Sequence, residues 1–546
     1  MIRAVRFTVH SFVSHGRAIL VIGGGFGLLI VQQATQFKSL FGSSAADQSA
    51  AIAGMQSLGR TFVVVIPPPV RVDTVAGFVD WRLLSAGTVY VAIYAVIAGA
   101  ASLRGEEEKG LVEMWLASGL SRVALVACRA VAITLALAAA AALAAAIGIA
   151  GTRSPDLALP ADSLALTTFM IMLPGLFFFA LSMLVAQVLP TRRAAAAIVG
   201  GIAGLTFVVA NLSYVVGGLS LVRWLSPFFY YDEGHALAEG TVFRPIYAID
   251  LMVAAALVFA AAAVVFSRRD INVPVMRGSD AVASKPHELL PYPRRLPVAI
   301  ISELRWTILG WTAGIIALAA LDTASIKNVA ENLGKSEVLN TYLASLGGGR
   351  QFVLGFLNFA VFVLGATLVA TLVINVIGNF AADQEERRVE FEMAQPITTL
   401  DVQVARCIAL VVATVVPALA LLLTVVVTAK IAGIDLAGTH LWSATLMVLP
   451  LALAVGMIGV AMLPRFNRQA VMVQSAIVGI SFVVTILGGV SGLNLPAWLT
   501  HLTLIQAYGS PAVHGVDAGG LTILVAIVAG GVAATVAQAR AEMSSG

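Results

Sequence analysis

Apolar and polar positions alternate along this chain on the scale of whole segments. Runs of about 18 or more apolar residues, each long enough to cross a bilayer as one helix, recur about a dozen times. In the first half they fall near Ala18–Phe37, Ala86–Leu103, Val123–Ala150, Leu164–Leu189, Ala194–Gly217 and Ala248–Phe266. A stretch rich in proline and basic residues, 267–300, breaks the pattern before it resumes. In the second half one run reaches about Leu321, another spans Val353–Phe380, and the last ends near Arg540. The expected architecture is an all-α polytopic membrane protein of about twelve transmembrane helices in two six-helix repeats. Residues 1–266 form the first half, 267–300 a linker and 301–546 the second half.

Between the runs lie several shorter signals. Residues 2–17 interleave Arg3, Arg6 and Arg17 with Ile2, Val5, Val9, Phe12 and Val13. This suits either a helix lying on the membrane surface or a plain basic flank. Val298–Trp306 is a second candidate of that kind. Gly23 and Gly27 form a small-xxx-small pair that permits close helix packing. Residues 38–84, with Pro67, Pro68 and Pro69, are too polar and broken to span, and are expected outside, with a surface or re-entrant helix near 62–66.

The chain is organised around an acidic stretch, Arg104 to Arg129, that is echoed 277 positions later by Ala381 to Arg406. At that offset Glu106 meets Asp383, Glu108 meets Glu385, Glu113 meets Glu390, Ser121 meets Thr398 and Arg129 meets Arg406. Farther on, Pro190–Arg193 matches the turn Pro464–Arg468, and Trp224–Ser226 parallels Trp498–Thr500. Wound as one helix, the first acidic stretch puts Glu106, Lys109 and Glu113 on one face, and Leu111, Met114 and Trp115 on the other. The Glu106–Lys109 and Lys109–Glu113 pairs would support it. A solvated connector is the plainer alternative, but a passive loop has no reason to keep acidic residues and a terminal arginine in register. The second copy is less amphipathic, with Arg388 and Glu392 in place of Leu111 and Trp115.

Composition narrows the class. The chain is 59% hydrophobic and 11% charged, with a mean hydropathy of +0.94, which excludes an ordinary soluble globule. In the twelve-span scheme, Lys and Arg gather on the side that holds both acidic stretches, the linker and both termini, so that side is expected to be cytoplasmic. Cys128 and Cys407 have no metal or redox spacing, and no cleavable leader is evident.

The acidic pair, the later glutamate, a small-Gly/Pro-apolar-Ser/Thr run and a closing arginine together resemble the coupling-helix region of type 2 ABC exporter permeases. The duplicated plan resembles the twelve-span polyketide-antibiotic and multidrug exporters of that class. The matching residues are Glu107, Glu108, Glu113, Ser121, Arg122 and Arg129, then Glu385, Glu390, Gln395, Pro396, Thr398 and Arg406. Gly119 stands where the second copy has Pro396, and the second copy has no arginine to match Arg122. The resemblance implies ATPase-coupling roles for Glu106, Glu107, Glu108, Glu113, Arg122 and Arg129, and for Glu385, Glu386, Glu390 and Arg406. It implies export of bulky amphipathic, drug-like compounds across a bacterial cytoplasmic membrane. It also implies a separate ABC ATP-binding subunit, two copies per permease, which carries ATP and Mg.

No nucleotide cradle is present. Gly334, Lys335 and Ser336 come nearest, but the glycine needed five positions before Gly334 is Val329. No zinc-protease helix or nucleophile elbow occurs, so the chain is expected to be no enzyme itself and to need no cofactor of its own. Phe177 and Phe178, with Trp224 and Phe228, are candidates for lining an apolar path; packing against lipid is their plainer role. Two rivals stay in view. A proton-coupled transporter of two six-span halves would want ionisable groups inside its spans, whereas Asp250, Asp322 and Lys430 read as span-end residues. An intramembrane enzyme would want a catalytic set.

Overall fold

The computed structural model describes residues 2–40, 67–214, 217–235, 237–238, 241–271, 273, 275, 292–333, 352–385, 398–488 and 503–545, with residues 49, 52, 55 and 56. It is all-helical, with no strand among the described residues, and divides into two compact units, Met1–Lys285 and Pro286–Gly546. The first holds α1 (Ile2–Ser14), α2 (Gly16–Phe37), α3 (Val75–Ser102), α4 (Arg104–Glu107) and α5 (Leu111–Ala117). It continues with α6 (Arg122–Gly151), α7 (Ala161–Val188), α8 (Arg192–Leu212), α9 (Pro227–Gly234) and α10 (Pro245–Arg268). The second holds α11 (Tyr292–Leu333), α12 (Leu354–Gln384), α13 (Thr399–Ala432) and α14 (Leu441–Phe466). After them come α15 (Arg468–Gly488), α16 (Leu504–Tyr508), α17 (Pro511–His514) and α18 (Ala518–Ser545).

Eleven of these helices are long and apolar enough to cross a membrane, and the chain is a multi-pass membrane protein. The twelfth expected span falls on α15, apolar over Gln469–Phe482. Helices are what the medium demands, because a backbone in hydrocarbon must satisfy its own hydrogen bonds. The exposed N–H groups at helix starts are met by side chains. Ser121 accepts from the Ala124 N–H, Thr191 from Ala194, and Thr398 from Asp401, whose carboxylate reaches back to the Thr398 N–H.

The repeat of 277 runs through both units. Ser121 and Thr398 cap equivalent helices, as do Ser226 and Thr503, and Tyr231 and Tyr508 are both fully buried. Ser226 therefore pairs with Thr503, which corrects the register that set Trp224–Ser226 against Trp498–Thr500; the latter three lie outside the described residues. In each unit the second and fourth spans are the innermost. Buried residues make up 61% of the apolar window in α3 and α14 and 72% in α7 and α12, against 17–44% in the other spans. Gly23 and Gly27 do permit close packing. A Cβ at Gly23 would lie 2.6 Å from the Ala140 carbonyl oxygen, and one at Gly27 2.6 Å from Ile147 Cβ, both on α6.

Two expectations on element boundaries are corrected. The second span starts at Val75 rather than near Ala86, because Thr74 caps it and the Trp81 indole N–H donates to the Pro67 carbonyl oxygen. Val298–Trp306 is no separate surface helix, since α11 runs unbroken from Tyr292 to Leu333, whereas α1 does end before α2 at His15. Asp322 falls four residues before the end of its span at Ile326 and is buried at 6% exposure, and Asp80, five residues into α3, is buried at 5%. The surface helix expected near 62–66 lies outside the described residues.

Candidate functional site

The acidic stretch does not wind as one helix. α4 closes after a single turn, and Gly110, with φ +69°, turns the chain before α5 begins at Leu111. Only glycine takes that conformation readily. Glu106, Lys109 and Glu113 therefore do not share one continuous helical face, and Glu106 pairs across the fold with Arg129.

Three consecutive glutamates each bind a different helix end. Glu106 pairs with Arg129 of α6, whose guanidinium also lies 4.9 Å from the centre of the Phe7 ring. Glu107, 2% exposed, accepts from Arg104 Nη1 at 3.0 Å with one oxygen and pairs with Arg269, just past α10, through the other. Glu108 accepts the Arg192 backbone N–H at 3.0 Å, and the Arg192 side chain lies 3.4 Å away at the start of α8. The arginines are spent in turn on the neighbouring turns. Arg104 donates to the Pro190 carbonyl at 2.6 and 3.1 Å, and Arg269 Nε donates to Gln187 Oε1 at 2.7 Å. Arg122 donates to the carbonyls of Phe266 (3.2 Å) and Arg269. Glu107 can be buried because it has two counter-charges, Arg104 and Arg269, which are in turn hydrogen-bonded to the neighbouring turns.

Past Gly110 the chain behaves differently. α5 buries Val112 and packs Trp115 edge-on against Phe7 at 4.8 Å and beside His10 at 5.7 Å. Arg3 Nη1 donates to the Ser118 carbonyl at 2.5 Å, fixing the end of α5 to α1. Glu113, Met114, Ala117 and Ser118 are left exposed. Met114 is 60% exposed. A short helix is thus held rigidly from below and presents one acidic and one apolar side chain outward.

In the second unit, Glu385 ends the helix described before the gap, while Glu386, Glu390, Gln395 and Pro396 lie outside the described residues. Arg406 is 3% exposed and stands over the Phe380 ring at 5.2 Å, as Arg129 stands over Phe7.

The aromatic candidates are partly brought together. Phe178 and Phe228 are buried with ring centres 5.4 Å apart; Phe177 lies 5.5 Å from Phe178, and Phe207 closes the group at 5.2 Å from Phe228. Trp224 is 44% exposed and packs on Phe229 instead. A cavity of about 580 Å³ touches none of the four; it lies between α6, α7 and α10 and is lined by residues such as Val123, Ala130, Thr134, Phe169, Met172 and Phe259. The small-residue spacing Ala127, Ala130, Ala256, Ala260 and Ala263 was its signal in the sequence. Sequence reasoning also missed Arg104, Gln187, Arg192 and Arg269. Their signal was chemical: buried glutamates require counter-charges, and the basic turns near 190 and 268 lie at the same ends of the spans.

Comparison with known families resolves the two halves separately. Residues 4–271 match the family model described as ABC-2 family transporter protein. Residues 297–540 match the one described as multidrug efflux system permease Rv1217c, C-terminal domain. Among curated proteins, none matches the chain. With both halves matched, in a chain of membrane-spanning helices that repeats one plan, the protein belongs to the ABC-2 type multidrug exporter permeases.

Proposed function

We propose that this chain supplies both halves of an export pathway for bulky amphipathic, drug-like compounds, and that a separate ATP-binding subunit, present in two copies, drives it from the cytoplasm. The family implies such a subunit. ATP and Mg would be held there, and this chain would hydrolyse nothing itself. The observation that supports the docking place is the exposed Glu113–Met114–Ala117–Ser118 face of α5, set on a helix braced by α1 and by the glutamate cluster. An ATPase cleft that engaged this face could push on α5, and the rigid cluster would pass the displacement to the ends of α6, α8 and α10. Glu106, Glu107 and Glu108 are then transmitters rather than docking residues. Glu390 is assigned the docking role in the second half. In this scheme the membrane is the bacterial cytoplasmic membrane, with both termini inside.

The test is co-purification. The tagged chain should bring down an ATPase, and Glu113→Lys should release it or uncouple efflux from hydrolysis at normal expression. Asp162→Lys, an exposed acidic residue at the other end of the spans, should leave both intact. Wild-type ATPase binding and efflux in Glu113→Lys would remove α5 from the docking role. A proton-coupled mechanism gains little from the buried Asp80, since that carboxylate is engaged by His235.

A further inference from the structure

At the end of the first unit opposite the acidic stretch, the run Asp80–Leu84 of α3 is wound as a π-helix, and Asp80 is buried. Its Oδ2 lies 2.7 Å from Nε2 of His235, the residue that caps α9. The other ring nitrogen, Nδ1, lies 2.8 Å from the Tyr231 carbonyl oxygen. A carbonyl and an ionised carboxylate both only accept, so both nitrogens donate and the ring is an imidazolium. The Tyr231 ring stacks on it, centroids 4.6 Å apart and planes at 4°. Burial by itself would lower the His235 pKa. The Asp80 charge, the hydrogen bonds to Asp80 and to the Tyr231 carbonyl, and Asp232 together raise it to about 9. The neighbouring Asp232 is raised by burial to about 7. The titratable groups around the ring are thus Asp80 on α3 and Tyr231, Asp232 and Glu233 on α9. Against adjacent Gly234, α10 sets Tyr247 and α7 sets Met170.

The second unit builds a related joint without charge. In the matching π-helical run Leu357–Val363, buried Asn358 accepts through Oδ1 from the Ala512 backbone N–H at 3.3 Å, and Ala512 stands 277 positions after His235. Each unit thus ties its π-helical run to the segment that holds His235 or Ala512, once through an ion pair and once through a neutral hydrogen bond, although Asn358 stands one position past Leu357, the counterpart of Asp80. In the first unit it also fixes the helix that carries Phe228 onto Phe178 and Phe207.

We infer that Asp80 and His235 are positioning residues whose ion pair clamps α9, and with it the Phe228 aromatic cluster, against the start of α3, and whose release opens that end of the first half to the exported compound. The last part rests on the export reading; the clamp does not. His235 is raised, so the stability it contributes is fully present below pH 6.5 and is lost as pH rises through about 9. The Asn358–Ala512 joint has no titrating partner.

Hydrogen–deuterium exchange on the full chain in lipid nanodiscs, corrected for intrinsic rates, tests the clamp without any ATPase. The α9 amides should be protected at pH 7 and lose protection through about pH 9, while those of α16 and α17 keep theirs. Asp80→Asn should speed α9 exchange at pH 7 by about tenfold or more and abolish the alkaline rise, because the charge it depends on is gone. Asp80→Glu should restore much of the protection. His235→Gln should reproduce the Asp80→Asn result should the latter fail to fold. Unchanged α9 protection in these variants would overturn the clamp, as would a loss spread evenly over α7 and α10. Loosened α9 with unaltered efflux in the ATPase-bearing complex would overturn its part in release.

Discussion

Glu107 and Glu108 are neighbours in sequence and unlike in burial, and that difference sets what each substitution does. Removing one partner of a buried, hydrogen-bonded pair costs about 3–5 kcal/mol, whereas a partly exposed pair is worth roughly 0.2–1 kcal/mol. Glu107→Gln should therefore lower the melting temperature of the purified chain sharply, since Arg269 and Arg104 lose their counter-charge. Glu108→Gln should leave it nearly unchanged, and equal shifts would show that the cluster does not work as described. The glutamates themselves were legible as a run of like charge between apolar segments. Their partners were not, because Arg269 lies 162 positions from Glu107 and no local pattern links them. Glu113 was legible for a different reason: it faces outward on any helical winding of residues 111–117.

At the scale of elements, the departures from sequence expectation have local causes. A continuous acidic helix fails at Gly110, whose positive φ costs an L-residue about 1–2 kcal/mol. Gly110→Val should strain this turn and weaken ATPase co-purification, even though nothing lies within 4 Å of the added side chain. A wild-type yield of bound ATPase would mean that the direction of α5 is immaterial. The span boundary at Val75 was hidden because Asp80 and Arg82 make the run look polar, and only the tertiary pairing of Asp80 lets it be buried. The glycines of α2 were read correctly because their reason is geometric and local. Gly23→Leu should cost roughly 1–3 kcal/mol by forcing α2 off α6. Gly200→Leu on α8, where no atom lies within 4 Å, is the matched control in the same thermal assay.

For the whole molecule, hydrophobic segmentation carried the helical class and the repeat, because both follow from the medium and from the 277 offset. It could not carry the aromatic grouping or the cavity between α6, α7 and α10, which depend on how helices face one another. A cysteine at Ser284, in a chain freed of Cys128 and Cys407, should react with impermeant reagents only from the cytoplasmic side. Labelling in intact cells would reverse the assigned orientation. The Glu107–Arg269 pair has a further consequence for how the protein is made. Glu107 emerges from the ribosome well before Arg269, so the nascent first half holds a buried carboxylate with only Arg104 to answer it until its sixth helix is inserted. A truncated chain ending at Phe266 should stay a substrate for membrane quality-control proteases, while one ending at Lys285 should escape them, and pulse-chase decay of the two would separate these fates. The last helix of the half would then act as its proofreading step, admitting only chains whose synthesis has run to the end of the unit.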